Sequence, residues 1–355
     1  MTITATTPPE TGTAFDRRLA TARAIFRGAL IFNAALTAFW LFLLLTGRQT
    51  LFFKTSSLDG AAVGRVFFGV LFFYVAWGFV WYGIKNLLLK SLVGFSREER
   101  RAAFSSRMHQ PFDVAALTAR HSERRIRIVD MIGRRGRFIT LAASAFFYLY
   151  ANIARDPSPG FASAFLQDNL ADAVLTSWIF LGFFYADGML AAAFYGPQSR
   201  VMDGVLARAN CLLITTLWTL FKFVMVPIGA QLAQVFSPGQ FAVVFALIWG
   251  AYIVTDALAE VGGSLFGRQR IPVWGVGDVN RKSVAGVVCG FTGCLIFCLW
   301  IVLSNGLGGA WIALAVTIAI SNTLLELFSP RGTDDFTMAT AGALICWGFG
   351  ALVLA

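Results

Sequence analysis

The sequence is poor in charged residues and in the side chains that build most metal sites. Only 14% of its 355 residues are charged, compared with about 25% in an ordinary soluble domain. Its two histidines, His109 and His121, both lie in one basic segment, which excludes a zinc site built on several histidines. The five cysteines lie in apolar segments without other metal-binding side chains, so we interpret them as buried thiols.

The common signatures of soluble nucleotide-binding domains are missing as well. The chain has no P-loop and no dinucleotide-binding glycine fingerprint, so a soluble type of nucleotide fold is not indicated. We recognise no cleavable signal peptide. Residues 1–14 are polar and rich in Thr and Pro, and we predict that they form a disordered tail.

Long apolar runs dominate what is present. The chain is 57% hydrophobic, and several runs exceed the roughly 18 residues that indicate a spanning helix. We therefore predict an all-α, polytopic transmembrane helical bundle with about nine spans. The predicted spans are 25–46, 66–89, 138–153, 173–196, 209–236, 239–258, 284–304, 308–328 and 336–355.

The Lys and Arg distribution predicts the orientation. Segment 90–137 is far richer in Lys and Arg than any other loop, and the positive-inside rule places it in the cytoplasm together with the N-terminus. Much of the net charge of +10 is therefore attributed to topology, and no nucleic-acid partner is expected. The expected location is a bacterial inner membrane. We divide the chain into an N-terminal membrane region, 15–237, and a C-terminal membrane region, 238–355.

Segment 90–137 allows three interpretations. It is a solvated topology signal, or it forms amphipathic helices on anionic lipid, or, less favoured, its arginines capture phosphate. Two ionisable residues also lie deep within predicted spans, Asp187 in span four and Lys222 in span five. Such residues are often functional, but a structural ion pair between the two helices is favoured over a substrate role.

Two of the predicted spans end in a pair of polar residues. Asp256 and Glu260 end span six, and Asn322 and Glu326 end span eight; each pair is four residues apart and so shares one helix face. A helix C-terminus carries partial negative charge. Carboxylates at such ends favour a divalent cation, and Mg²⁺ prefers oxygen ligands of this kind.

The start of span seven has the opposite character. Ser283 is a natural N-cap, and the helix start presents free N–H groups to an anion. Gly286 allows another backbone or a ligand to approach closely. The cationic side chains of this region are Arg268, Arg270, Arg281 and Lys282.

Two more acids, Asp334 and Asp335, begin span nine, where they either cap the helix or bind metal. One membrane face thus collects acids and bases in the arrangement expected for a metal–polyphosphate complex. We interpret it as a phosphate- and metal-handling site.

The sequence DALAEVGGSLFGRQRIP, followed by NRKSVAG, resembles the membrane lipid kinases of the phytol, farnesol and dolichol kinase group. These share a superfamily with CTP:phosphatidate cytidylyltransferases. A third block, ELFSPRGTDDFT, resembles the acidic motif of the same family, and the resemblance covers about residues 240–355. The matching positions are Asp256, Ala259, Gly262 or Gly263, Phe266, Gly267, Arg281, Lys282, Ser283, Ala285, Gly286, Glu326, Gly332, Asp334 and Asp335.

The chain departs from the family pattern at a few positions. Arg281 replaces a Lys, Val284 replaces an aromatic residue, Phe336 replaces an Asn, and the usual Pro does not follow. The cytidylyltransferase branch ends in a His-containing signature. The C-terminal region of this chain contains no His, which favours the kinase branch.

The resemblance implies phosphoryl transfer from CTP, with Mg²⁺, to an isoprenoid or other long-chain alcohol in the bilayer. The implied metal ligands are Asp256, Glu326, Asp334 and Asp335. The implied catalytic residues are Asp256, Glu260, Lys282, Glu326 and Asp335, with Glu260, Asp334 and Asp335 as alternative proton acceptors. The implied phosphate-binding residues are Arg268, Arg270, Arg281, Lys282, Ser283 and Gly286.

Two other functions stay open at this point. One is a cytidylyltransferase that makes a CDP-lipid from the same nucleotide. The other is a transporter or a non-catalytic membrane protein on the same fold, which Asp187 and Lys222 support. The expected partners are CTP, a lipid substrate and the bilayer, and a homo-oligomer is allowed.

Overall fold

The computed structural model describes residues 12–47, 76–105, 114–155, 170–185, 188–273, 280–330 and 332–354, and these form a helical protein with one short β-hairpin. The elements are α1 (Gly12–Thr46), α2 (Trp77–Leu88) with a π-helical extension (Leu89–Val93), α3 (Arg97–Ser105), α4 (Val114–Arg120), α5 (Glu123–Arg155), α6 (Leu170–Tyr185), α7 (Gly188–Tyr195), a 3-10 turn (Val201–Asp203), α8 (Leu206–Val235), α9 (Pro238–Phe266), β1 (Arg270–Val273), β2 (Asn280–Ser283), α10 (Val284–Ser304), α11 (Ala310–Phe328) and α12 (Asp334–Phe349) with a π-helical end (Gly350–Leu354).

The all-α polytopic fold class is confirmed. Within the described residues, five helices are long and apolar enough to cross a membrane: Phe15–Thr46, Gly239–Phe266, Val284–Ser304, Ala310–Phe328 and Asp334–Val353. The helix pair Val174–Phe184 and Met189–Tyr195 is bent by 116° and would be a sixth span. Part of predicted span two, 66–75, lies outside the described residues, and the count of nine stays a prediction.

Helices α9 and α10 pack closely because small residues face each other along their contact. A Cβ atom added to Gly286 would lie 2.6 Å from the carbonyl oxygen of Ala259, and one added to Gly290 would lie 3.0 Å from that of Thr255. Small residues at such contacts allow membrane helices to approach backbone to backbone. The packing fixes the start of α10 against the last turns of α9.

The main hydrophobic core joins α8 to the four helices that follow it. Phe221 and Leu232 of α8 are buried with Tyr252 of α9, Ile318 of α11 and Met338 of α12. Helix α8, which the sequence analysis assigned to the N-terminal membrane region, therefore packs into the same core as the predicted C-terminal membrane region.

The basic segment 90–137 forms α3, α4 and the first part of α5 over most of its length. A buried ion pair anchors it, because Lys85 Nζ lies 2.9 Å from Asp130 Oδ1 and also donates to the carbonyl oxygens of Gly196 and Ser199, at 3.1 and 2.6 Å. Asp130 Oδ2 accepts the backbone N–H of Val201 at 2.8 Å. Helix α2, helix α5 and the turn before α8 are thereby held together, which positions the arginines of α5 described below.

Candidate functional site

A cavity of about 1470 Å³ opens among α5, α9, the hairpin and the facing ends of α10, α11 and α12. The predicted site residues that line it are Asp256, Glu260, Arg268, Arg270, Lys282, Ser283, Gly286, Glu326, Asp334 and Asp335. Among the remaining predictions, Asp187 and the side chains of Lys222 and Arg281 lie outside the described residues. The structure thus gathers around one cavity residues that are up to 79 positions apart in sequence, from Asp256 to Asp335.

Three carboxylates from three helices meet on one side of the cavity. One oxygen each of Asp256 in α9, Glu326 in the last turn of α11 and Asp334 in the first turn of α12 lie within 4.8 Å of one another. We call these three residues the carboxylate pole. Glu326 Oε2 is buried and has no hydrogen-bond partner among the described residues. The pole therefore offers oxygen ligands to a cation, with one acceptor still unused.

Lys282 lies beside the carboxylate pole. Strand β2 pairs antiparallel with β1, with Lys282 opposite Ile271, and its Nζ lies 2.5 Å from Glu326 Oε1 and 3.5 Å from Asp334 Oδ2. Burial alone would lower the pKa of Lys282, but the neighbouring carboxylates outweigh it and hold that pKa above its usual range. Lys282 therefore carries a positive charge beside Glu326 and Asp334 of the pole.

The start of α10 agrees with the prediction for span seven. Ser283 is the N-cap, and its Oγ accepts the backbone N–H of Gly286 at 3.0 Å. The close neighbour of Gly286 is the Ala259 backbone in α9, so this glycine serves the helix contact. Arg268 and Arg270 are exposed at the rim of the cavity.

The predicted end of span six is wrong. Helix α9 continues to Phe266, so Asp256 lies ten residues before the helix end and Glu260 six. The negative charge of a helix terminus falls off within the last turn, which means that the dipole argument applies to Glu326 and not to this pair. The segment after α9, expected to be a loop, also contains the β1–β2 hairpin.

Arginine side chains form ion pairs with Asp256 and Glu260. Arg135 of α5 donates to both oxygens of Asp256 and to Glu260 Oε2. Arg134 lies 2.5 Å from Glu260 Oε1, and Arg200, next to the 3-10 turn, lies 3.0 Å from the same oxygen. We call Arg134, Arg135 and Arg200 the arginine cluster. The sequence analysis gave phosphate capture by arginines of segment 90–137 only as a less favoured interpretation, and it did not single out Arg134, Arg135 or Arg200. Arg200 lies outside that segment.

Asp335 differs from its neighbour Asp334. Its Oδ1 is buried and has no hydrogen-bond partner in the part of the chain that the structure describes. It borders the large cavity and also a second, small one. The other residues that line the small cavity are Ile214, Leu217, Phe221, Gly332 and Phe336. Asp335 therefore lies between the polar site and an apolar surface.

Comparison with known proteins gives one informative relative. The chain is 33% identical over 131 residues to the curated phytol kinase of Synechocystis sp.. The chain is similar to a membrane lipid kinase. The matched stretch is 35% of this chain and 52% of the kinase, so the chain spans about half the length of that relative. No family model matches the chain, and no solved structure matches it.

Proposed function

We propose that the protein is an integral-membrane kinase that transfers a phosphoryl group from CTP to an isoprenoid or other long-chain alcohol dissolved in the bilayer. The observation that carries this proposal is the meeting of Asp256, Glu326 and Asp334 beside Lys282 in one large cavity. The similarity to a phytol kinase supports the same reaction class. Phosphoryl transfer requires little covalent chemistry from the protein, so positioning and charge neutralisation provide most of the catalysis.

The carboxylate pole fits Mg²⁺. Its donors are carboxylate oxygens, which Mg²⁺ prefers, and the unused Glu326 Oε2 supplies an acceptor that no described residue satisfies. Asp256 is bound by Arg135, but each carboxylate oxygen has a second lone pair for a cation. Asp256, Glu326 and Asp334 would hold the ion, which when bound would neutralise charge on the phosphate oxygens.

Lys282 would bind the triphosphate. Its ammonium group lies in the cavity at the edge of the carboxylate pole, within reach of a phosphate held there. The N-terminus of α10, capped by Ser283, adds the partial positive charge of a 21-residue helix. Both groups favour the negative charge that a triphosphate brings to the site.

We assign proton acceptance to Asp335. Three arginines occupy Glu260, and Lys282 contacts Asp334, while Asp335 retains a buried oxygen without a described partner. Apolar side chains, among them Ile214 and Phe221, also lie beside Asp335. In the proposed step the alcohol oxygen bonds to the γ-phosphorus, the bond from that phosphorus to the departing CDP oxygen breaks, and the hydroxyl proton passes to Asp335.

Acceptor-dependent consumption of CTP tests the proposal. The purified protein in detergent micelles is given CTP and Mg²⁺ with phytol, with a longer polyprenol or with phosphatidic acid. We expect turnover with an alcohol and none with phosphatidic acid. Turnover with phosphatidic acid alone would indicate a cytidylyltransferase. No turnover with any acceptor would favour a transporter or a non-catalytic protein.

A further inference from the structure

The arginine cluster carries more positive charge than the carboxylates that it contacts. Among the described residues, Arg134, Arg135 and Arg200 form ion pairs with Asp256 and Glu260, three guanidinium groups against two carboxylates. Asp335 and Asp203 lie close enough to act on the charges of Arg135 and Arg200 as well. The side chains of Arg134 and Arg135 are 18% and 6% exposed, so water screens the charges weakly. Glu260 is shared by all three guanidinium groups, whose N–H donors outnumber the acceptor sites of its carboxylate.

The three arginines are not equally engaged. Arg135 is bound to Asp256 through both of its terminal nitrogens and to Glu260 through Nε. In contrast, the side chains of Arg134 and Arg200 each make one hydrogen bond among the described residues, and both donate to Glu260 Oε1. A guanidinium group has five N–H donors, so these two arginines retain donors for a ligand in the cavity that they line.

The charges of Arg134 and Arg200 also oppose each other. Burial and, after it, the nearby charge of Arg200 hold the pKa of Arg134 below its ordinary value. An anion between the two side chains would relieve this repulsion. Arginine binds phosphate especially well, because its planar group donates two parallel hydrogen bonds.

We propose that Arg134 and Arg200 form a polyphosphate-binding subsite, supplied by the part of the chain outside the kinase resemblance. Glu260 holds the two side chains in place until the ligand arrives. The subsite adjoins the carboxylate pole, because Asp256 belongs to the pole and also binds Arg135 of the arginine cluster. The inference rests on the proposed function and names the residues that would take the nucleotide's phosphates.

Binding of inorganic tripolyphosphate, measured by calorimetry on the full-length protein in detergent, tests the subsite without any catalytic step. We expect Arg134→Gln and Arg200→Gln each to weaken binding about tenfold to a hundredfold, as for hydrogen bonds to charged groups. Arg134→Lys, which keeps the charge but loses the fork, is expected to lie in between. Arg120→Gln is the matched control, because Arg120 is 63% exposed, pairs with Glu99 and does not line the cavity.

A double variant separates ligand binding from a purely structural role. If Arg134 binds phosphate, the double variant Arg134→Gln/Glu260→Gln still binds tripolyphosphate weakly. If Arg134 only neutralises Glu260, the second substitution restores affinity, and the inference is overturned. Unchanged affinity in both single variants would overturn it as well and would leave the proposed kinase function standing. Wild-type protein that binds neither tripolyphosphate nor CTP would refute both.

Discussion

The carboxylate pole and the arginine cluster share one cavity but come from different parts of the chain. The pole is built by Asp256, Glu326 and Asp334, all within the C-terminal third that resembles lipid kinases. The cluster comes from α5 and the turn before α8, in a region without a recognisable motif. The difference shows that one half of this site is visible as a sequence motif, while the other half depends on how α5 packs against α9.

The largest expected effect is at the carboxylate pole. Lys282→Ala removes a positive charge at the proposed phosphate site, and Asp256→Asn removes a proposed metal ligand. Each is expected to lower kcat/KM about 10³-fold, as for other preorganised charge-stabilising groups. The measurement is CTP-dependent phosphorylation of a long-chain alcohol by protein of unchanged elution volume. Near-normal turnover in both variants would remove the pole from the active site.

Substitutions of Asp334 and Asp335 test the different roles proposed for these two neighbouring acids. Asp335→Asn is expected to lower kcat about 10²-fold through loss of the proton acceptor, with the Mg²⁺ concentration for half-maximal activity unchanged. Asp334→Asn, its matched partner, is expected to raise that Mg²⁺ concentration. Steady-state kinetics over a Mg²⁺ titration distinguish the two, and the reverse pattern would exchange their assigned roles.

The ion pair between Lys85 and Asp130, which positions the arginines of α5, gives a third test. Lys85→Met leaves Asp130 buried and unpaired, and breaking such a pair costs about 3–5 kcal/mol. We expect a lower unfolding midpoint in detergent and weaker tripolyphosphate binding, with Mn²⁺ binding at the carboxylate pole less affected. Lys90→Met, at an exposed lysine of the same helical segment, is the control. Equal stability of the two variants would contradict the proposed role of Lys85 as an anchor.

The smallest expected effect concerns the helix contact beneath the pole. Gly286→Ala would place a methyl group 2.6 Å from the Ala259 carbonyl oxygen, and such overpacking costs about 1–3 kcal/mol. A Cβ atom added to Gly348 would have no neighbour within 4 Å, so Gly348→Ala is expected to leave the stability unchanged or to raise it slightly. Thermal unfolding of both variants makes the comparison. A Gly286→Ala protein as stable as the control would show that α9 and α10 adjust freely.

The sequence correctly predicted elements whose formation depends on residues that are close in sequence. The apolar runs predicted the membrane helices, and Ser283 predicted the start of α10. The predicted end of span six, residue 258, falls before the end of α9 at Phe266. Two glycines follow soon after Glu260, and glycine is unfavourable inside a helix. In the structure Gly262 lies inside the helix, where a Cβ atom would collide with Cys289 of α10.

The features that the sequence did not predict depend on contacts between residues that are far apart in sequence. The β1–β2 hairpin is held by pairing between Arg270–Val273 and Asn280–Ser283. Each strand has four residues, which is too short for hydrophobic alternation to predict it. The contact of Arg135 with Asp256 joins residues 121 positions apart. Charge density in segment 90–137 indicated a basic surface, but nothing in one sequence indicates which arginines turn toward the acids of another helix.

The products of a complete reaction test the central claim most directly. Phosphorus NMR follows wild-type protein, CTP, Mg²⁺ and a long-chain alcohol until the nucleotide is consumed. Phosphoryl transfer at the carboxylate pole predicts one equivalent of CDP for each equivalent of a new lipid phosphomonoester, and a rate about 10³-fold lower in Lys282→Ala. Release of pyrophosphate with a CDP-lipid would contradict the proposed reaction, as would CDP formation that does not depend on the alcohol.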